Sequence, residues 1–506
     1  MRTVSSTYLP VEPLLRAEVI RRETIFYFIT RNTKASGTRA ARAPPRERVE
    51  WRRKDSTLMM QPKWIGRREF MRAGAGVASA SLAVAQASGA TNAAPDAEPY
   101  KVHWYPFTEH PDSDTCWSLS VGPDGRIYAA ACAEGVPGGV VKPVRYNEQK
   151  DGLDYLFNLA EMVDDPGDSG HATQCKIHYS FAPSMHDHVM YMATHLSGPP
   201  IDLPVYNPWY SWHDKKRLFR GAALLAFDTQ HDRVLWWDTL IPKEGCRCLL
   251  HDEERGLLYA ISYPRDHFFI YDLKTRQRRD LGRIGSINSQ TVFLDRRHRV
   301  WTTNDYGHLV RYTPETDRLE ISPDTLPHAN YQTGWHSVFY DVAPAPDREC
   351  VYASTWCPNP HLMRIWPNEG EWPRVEDLGP ATQERDLTFP VDMFRDHCGG
   401  LVFAGDGKLY YVASRWRDPV YNPLPPPHKE REGVVWRLDP QTLERTEVTR
   451  LEHPNGFAHY VSRGAVDHNG DLFFGHVGSN PCGIFKVSMP ADRKRENAHL
   501  PIRMWG

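Results

Sequence analysis

The sequence has no excess of charge of either sign. Its 506 residues include 61 Lys and Arg against 63 Asp and Glu, a formal net charge of −2. Domains that bind nucleic acid usually carry a basic surface, so we expect no nucleic-acid partner. Long hydrophobic runs are also missing: the run at 73–87 is rich in Ala and Gly, and it is too short and too weakly apolar for a stable membrane span.

The C-x₂-C spacing typical of zinc sites is missing as well, although the sequence has nine cysteines. An odd number cannot pair completely within one chain. Two interpretations stay open: buried free thiols or disulfides, and a structural zinc. The zinc ligands that the sequence predicts are Cys246, Cys248, His397 and Cys398.

What the sequence does contain is one phrase repeated seven times. Each copy is a short apolar strand, an Asp- or Gly-rich turn and a second strand that ends in a polar or aromatic residue. Repeats of roughly 40–70 residues that each form a small antiparallel sheet are typical of β-propellers. The sequence therefore predicts an all-β fold, a seven-bladed β-propeller. The copies lie at 117–131, 176–195, 246–263, 289–304, 336–356, 399–415 and 462–477.

Aligning the copies on their turns brings titratable and aromatic residues to one end of the propeller. A purely structural repeat would favour small or apolar residues there, so the pattern predicts a polar site in the central funnel. At the ends of second strands lie His195, Tyr263, Asn304, Trp356, Arg415 and His476. At the starts of first strands, or close to them, lie His178, Arg247, Gln290, His336 and His397.

The N-terminal segments differ from the rest of the chain. Residues 1–58 are basic and unpatterned, and we interpret them as an untranslated or disordered upstream segment. In 59–94, the twin arginine Arg67–Arg68 precedes a weakly apolar run and a small-residue cleavage site, as in a bacterial twin-arginine (Tat) export signal. This predicts a periplasmic or secreted protein, with the Tat export machinery as a partner, no membrane association after signal removal, and a single propeller domain in 95–506.

The candidate catalytic residues lie in the second copy and its long insertion. KIH at 176–178 is followed by ATH at 193–195, a Pro-, Trp- and Tyr-rich loop, and RGAALLAFD at 220–228. This pattern resembles the seven-bladed propeller polysaccharide lyases, chiefly the ulvan lyases and more remotely the oligogalacturonate lyases. The phrase RGLLYAISYPRDHFFIYDLKTRQRRDLGRI at 255–284 is similar to them too. Gly-Ala-Ala after the arginine departs from the Gly-Gly-His-like start expected in that family.

The resemblance implies an exported lyase that cleaves an acidic, ulvan-like polysaccharide next to a uronic acid by β-elimination. Such an enzyme must offset the carboxylate charge and supply a base for C5–H and an acid for the leaving oxygen. Arg220 would grip the carboxylate, because a guanidinium binds it through two hydrogen bonds. Either Tyr206 or Tyr210 would act as base or acid, with His178 and His195 completing the transfer. The implied substrate-binding residues are Tyr263, Arg265, His267, His336, Trp356 and Arg415.

Two other functions fit the same fold. A non-catalytic carbohydrate- or protein-binding propeller would hold aromatics and amides in the funnel without a close His, Tyr and Arg group. A lactonase-like propeller hydrolase would need a calcium cage of carboxylates and amides near the axis. The aligned positions contain Asn304 but few carboxylates, which ranks the hydrolase below the binding protein.

Overall fold

The computed structural model describes residues 100–203, 214–286, 289–327, 338–356, 360–382, 397–416, 431–458, 460–478 and 482–494. The predicted segments 1–58 and 59–94 lie outside these residues, and so do Tyr206, Tyr210 and His336. Arg415 belongs to a described strand, but its side chain is not described.

The described residues form strands in seven groups of four, apart from one small ribbon and one helical turn. Group 1 comprises β2 (Leu119–Val121), β3 (Ile127–Ala131), β4 (Lys142–Asn147) and β5 (Gly152–Tyr155). Group 2 comprises β6 (Lys176–Ser184), β7 (Val189–His195), β8 (Gly221–Asp228) and β9 (Arg233–Pro242). Group 3 comprises β10 (Gly245–Asp252), β11 (Leu257–Tyr263), β12 (His267–Asp272) and β13 (Gln277–Arg283). Group 4 comprises β14 (Phe293–Leu294), β15 (Val300–Thr303), β16 (His308–Thr313) and β17 (Arg318–Thr325).

The remaining groups follow the same plan. Group 5 comprises β18 (Phe339–Pro344), β19 (Val351–Thr355), β20 (His361–Trp366) and β21 (Arg374–Pro380). Group 6 comprises β22 (His397–Phe403), β23 (Leu409–Trp416), β24 (Arg431–Leu438) and β25 (Arg445–Arg450). Group 7 comprises β28 (Tyr460–Val466), β29 (Leu472–Val477), β30 (Gly483–Ser488) and β1 (Lys101–Pro106). The ribbon is β26 (Glu452–His453) with β27 (Gly456–Phe457), and the helical turn is α1 (Leu159–Met162).

Within each group the strands pair antiparallel in chain order. Group 7 departs from chain order in one strand. Its outermost strand is β1, which comes from the beginning of the propeller and pairs with β30. This pairing ties the two ends of the repeat together. Groups 2 and 3 also touch through a single parallel pair, Cys248 with Tyr179 on their first strands.

The core is divided among seven apolar clusters. Six of them lie between two neighbouring groups, and the seventh lies mainly between groups 3 and 4 and also includes residues near the axis from other groups. In group 7, for example, Phe473 and Ile484 pack with Leu119 and Ile127 of group 1. Because the last group packs on the first as every other neighbour does, the groups form a closed ring. The predicted all-β propeller is confirmed, whereas the number of blades in the complete chain stays a prediction.

The first strands line a central channel. The turns between first and second strands lie at one end of the channel, which we call the lower face. A cavity of about 350 Å³ there is lined by residues of six first strands and by Val292, which immediately precedes the first strand of group 4. The opposite end, the upper face, carries the starts of the first strands and the ends of the second strands. Among the described residues, no helix is long and apolar enough to cross a membrane.

Five first strands contain a β-bulge or a similar shift of register against the second strand. In β6 the shift spans residues 178–180, and in β10 it falls at Arg247. In β28 it spans Ser462 and Arg463. Bulges redirect side chains that a regular strand would alternate between its two faces. They place large polar residues at the axis of the ring.

Candidate active site

His178, in the bulge of β6 at the upper face, has one engaged and one unengaged ring nitrogen. Its Nδ1 lies 2.8 Å from the carbonyl oxygen of Arg247. A carbonyl only accepts, so Nδ1 carries the hydrogen and donates it. In the neutral ring the lone pair is then on Nε2, which is buried and has no hydrogen-bond partner among the described residues. This is the tautomer that a general base requires.

His178 and His195 belong to a row of four stacked rings at the upper face. The ring centroids of the two histidines are 5.3 Å apart, and the rings are stacked. Trp117 stacks on the far side of His178 at 4.9 Å. Tyr263 stacks on the far side of His195 at 4.5 Å. The row therefore joins the ends of strands from groups 1, 2 and 3, and it fixes both imidazoles without using their ring nitrogens.

A buried ion pair supports the Trp117 end of this row. Lys176 Nζ lies 4.2 Å from the centroid of the Trp117 ring and 3.0 Å from Glu134 Oε2. The other carboxylate oxygen of Glu134 accepts hydrogen bonds from Thr115 Oγ1 and Trp117 Nε1. Burial acts to raise the pKa of Glu134, but Lys176 and these donors bring it below its ordinary value. The carboxylate is thus held as an anion that positions both Lys176 and Trp117.

Arg247 supports the opposite end. The bulge of β10 directs its guanidinium over the ring of Tyr263, 4.4 Å from the centroid. The side chain is buried, and its Nε has no hydrogen-bond partner among the described residues. A desolvated guanidinium with an unused donor is suited to a carboxylate ligand. Arg247 is therefore a cation of this site. The aligned copies place it at the funnel, but the resemblance gives it no catalytic or substrate-binding role.

Both histidines are neutral at ordinary pH. Burial is the largest cause that holds the pKa of His178 and of His195 well below the usual range, and the charges of Lys176 and Arg247 add to it. Neither ring nitrogen of His195 forms a hydrogen bond of ordinary geometry within the described part of the chain. The upper face therefore combines unprotonated imidazoles with two nearby cations. Such an arrangement can accept a proton while it stabilises negative charge.

We expect the double variant Lys176→Met with Glu134→Gln to raise the pKa of His178. The variant removes the second-largest cause of the shift without leaving a buried lone charge, while burial still keeps the pKa below its usual range. NMR titration of the imidazole measures the change. Lys150→Met is the control, because this exposed lysine lies in the turn between β4 and β5 and pairs with Asp154 of β5. A His178 pKa that stays the same in the double variant would contradict the electrostatic account.

Arg220 immediately precedes β8 and is more exposed than the histidines. Its Nη1 donates to the carbonyl oxygen of Asp164 at 2.9 Å, and its Nε lies 3.5 Å from a carboxylate oxygen of Asp165. Half of the side chain is open to solvent, and the contacts described for it do not include either histidine. Its predicted partners Tyr206 and Tyr210 lie outside the described residues. Their meeting at one site stays a prediction.

The other predicted substrate-binding residues have identifiable contacts. Arg265 pairs with the buried Glu244, its Nε 2.5 Å from Oε1, and Trp356 packs against the apolar cluster between groups 3 and 4. His267 Nδ1 lies 2.9 Å from Asp280. His361 bonds Asp377 from the same strand position two groups later. Because this pairing recurs, it favours a structural role for His267, and a role in substrate binding stays a prediction.

The four predicted zinc ligands are dispersed. The bulge between Cys246 and Cys248 sends their side chains to different apolar clusters, and Cys398 lies in a third. His397 is buried against Tyr340, with ring centroids 4.4 Å apart. No group of three or more His, Cys, Asp or Glu residues in the described ranges is arranged to hold a metal ion. The zinc therefore gains no support there and stays a prediction.

Comparison with known proteins identifies no family for this chain. No family model matches the sequence, and no curated protein matches it significantly. Among solved structures, the extracellular domain of BT4673 from B. thetaiotaomicron is 12% identical with a TM-score of 0.47, covering 77% of this chain and 40% of that chain. The match thus spans about two fifths of that protein. The WD40 β-propeller domain of Doa1 is 9% identical with a TM-score of 0.44, covering 78% of this chain and 99% of that one.

The sequence predicts His178 and His195 as site residues but not their supports. Arg247 occupies the aligned position of His178 in the next copy, and this was the available signal. Trp117 and Lys176 are equally close to the starts of first strands. Glu134 lies beyond the second strand of group 1, and no motif marks it; only the folded chain brings it to Lys176.

Proposed function

We propose that this protein is a lyase that cleaves a uronate-containing, ulvan-like polysaccharide by β-elimination. The observation that carries the proposal is the state of His178. Its Nδ1–H is used by the Arg247 carbonyl, and its Nε2 lone pair has no partner among the described residues, in a ring that is neutral. Abstraction of the weakly acidic C5 proton needs an unprotonated base whose lone pair is held in a fixed tautomer, and His178 has both properties.

The cations supply the second requirement of the reaction. Removal of the C5 proton builds negative charge on the uronate carboxylate, and donors placed in advance lower the barrier. Arg247 has a buried Nε–H beside the ring stack that no described residue accepts, and we assign the carboxylate to it. Arg220 is half exposed and tied to Asp165, so in this proposal it binds a neighbouring part of the polymer. His178, His195 and Arg247 are buried. Side chains at the upper face must therefore move to admit a sugar ring.

The test is incubation of the purified protein with a panel of uronate polysaccharides while the absorbance of the unsaturated uronate product is followed in the ultraviolet. Neutral polysaccharides serve as the control, because they lack the carboxylate that acidifies C5–H. Cleavage of an acidic polymer with formation of the unsaturated end supports the proposal. Binding without cleavage, measured by affinity electrophoresis in the same polysaccharides, would instead establish the carbohydrate-binding propeller.

We also propose export through the twin-arginine pathway, on the sequence of 59–94 alone. Replacing both Arg67 and Arg68 by Lys is expected to keep the precursor in the cytoplasm, because the twin-arginine pair is the part of the signal that the machinery reads. Fractionation of cells that produce the full chain measures the location. Export of the double variant at the wild-type level would rule out the signal.

A further inference from the structure

A buried carboxyl group at the upper face has no role in the mechanism so far. Asp266 lies in the turn between β11 and β12, three residues beyond Tyr263, at the upper face. It is completely buried. Its Oδ2 accepts hydrogen bonds from the backbone N–H of Ser289 at 3.2 Å and from the Ser289 hydroxyl at 3.0 Å. Its Oδ1 has no hydrogen-bond partner among the described residues.

Among the described residues, no Lys, Arg or His nitrogen is paired with this carboxyl group. The neighbouring Arg265 pairs with Glu244, and His267 pairs with Asp280. A second carboxylate, Asp305, is nearby: a Cβ on Gly285 would lie 2.9 Å from Asp305 Oδ1 and 3.1 Å from Asp266 Oδ2. Asp305 itself accepts from the N–H of Ser286 at 2.8 Å. Two neighbouring buried carboxyl groups do not both ionise easily, because their charges repel each other.

The hydrogen bonds decide where a proton would reside. Oδ2 already accepts two donors, so the proton belongs on Oδ1, which is the unpartnered oxygen. Burial is the largest cause that raises the pKa of Asp266, and Asp305 adds to it, whereas Arg247 and the Ser289 donors lower it; the result is a pKa of about 7. These are the charged and polar groups that act on Asp266 from the first strand of group 3 and from group 4.

We propose that Asp266 is the general acid of the site. This inference rests on the proposed lyase function. It adds the proton donor for the leaving oxygen, which the proposed function does not assign. His178 Nε2 takes the C5 proton, the C5–H electrons form the C4–C5 double bond, and the bond from C4 to the leaving oxygen breaks. Asp266 Oδ1–H gives its proton to that oxygen and is left as a carboxylate. The proton on His178 then returns to Asp266 through solvent, so the cycle is balanced.

Asp266→Asn is a matched variant for testing this role. Asp266 has a φ of 53°, a left-handed conformation that Asn adopts as readily as Asp. The Asn carbonyl can keep the Ser289 hydrogen bonds, but the amide is not an acid. We expect kcat to fall by roughly 10²–10⁴ with an unchanged melting temperature near neutral pH. A variant that retains the wild-type kcat would overturn the proposal.

Two readouts separate an acid from a merely structural residue. In infrared titration of the wild-type protein, a protonated carboxyl band should disappear as the pH passes about 7, and Asp266→Asn should lack it. Asp305→Asn should keep the band but move its titration, and the alkaline limb of kcat, to lower pH, because Asp305 raises the pKa of Asp266. A wild-type protein without this band overturns the proposal, whatever the activity. Failure of every polysaccharide to be cleaved, with the band present, overturns the lyase and the acid role but leaves the bound proton established.

Discussion

Replacing His178 by Asn should lower kcat on an acidic polysaccharide by roughly 10²–10⁴, the usual contribution of a positioned base. Asn is the informative substitution because its amide nitrogen can take the place of Nδ1 and still donate to the Arg247 carbonyl oxygen. The variant therefore keeps the local hydrogen bond and loses only the basic nitrogen. Steady-state kinetics with the ultraviolet assay measure the effect, and thermal unfolding checks that the fold is intact.

The pH profile of the wild-type enzyme provides a second check. Burial, Lys176 and Arg247 hold the pKa of His178 well below its ordinary 6.5, so the base stays unprotonated until the pH falls far below that value. The acid limb of kcat/KM should therefore lie at a low pH.

His251→Asn is the control for the His178→Asn variant, because His251 is a buried histidine toward the lower face whose Nδ1 bonds the carbonyl oxygen of Pro183. Equal losses in the His178 and His251 variants would show a general packing effect instead of catalysis.

Arg463→Ala should lower the free energy of unfolding by about 3–5 kcal/mol, the cost of breaking a buried ion pair from one side. Arg463 of group 7 pairs with the buried Asp341 of group 5 and donates to Thr291 Oγ1 at 2.9 Å. Its guanidinium also lies 4.1 Å from the Tyr179 ring centroid, and Asp341 accepts from the N–H of Leu401 at 2.8 Å. The pair thus connects five of the seven groups at the axis.

The pH dependence of this loss has a definite sign. Burial, the largest cause, already raises the pKa of Asp341 although Arg463 acts to lower it. Without Arg463 the folded-state pKa rises further above the unfolded value, so stability is lost as the pH increases. Urea unfolding at about pH 5 and about pH 8 should show the larger deficit at the higher pH. Adding Asp341→Asn should recover part of the loss.

A surface pair gives the matched control for this prediction. Arg279 and Asp317 lie 2.7 Å apart with about half of each side chain exposed. Water screens such a pair, so Arg279→Ala should change the free energy of unfolding by less than about 1 kcal/mol. If Arg463→Ala costs no more than Arg279→Ala, the axial ion pair does not hold the groups together.

The fold was predictable because each repeat of a propeller forms its sheet from residues that are close together in the chain. Each copy contains its own strands and turn, and the ends of β7 and β11 fall at His195 and Tyr263, as the aligned copies predict. The closing strand β1 was not predicted, since it precedes the first copy and pairs with the last group. The stacking of His178 on His195 follows from strands that are neighbours in one group, and this part of the site was accessible from the sequence.

The rest of the site depends on contacts between groups. Glu134 reaches Lys176 from the preceding group, and Asp266 meets Ser289 and Asp305 from the following one. Those approaches are set by how neighbouring sheets pack, which strand periodicity does not encode. The bulge at Arg247 had a similar effect on the metal prediction. In a regular strand Cys246 and Cys248 would share a face, whereas the extra residue separates them.

The bulges of the first strands also bear on how such a protein can diversify. In a regular strand, every residue that faces the axis is fixed in alternation with a residue that fills the packing between groups. At residues 178–180 of β6 this alternation is interrupted. The axial side chains of this bulge can therefore be exchanged without shifting the register of the apolar ones. The ring can keep its stability while the chemistry at its centre changes, so ligand preference and structural integrity are free to evolve at different rates.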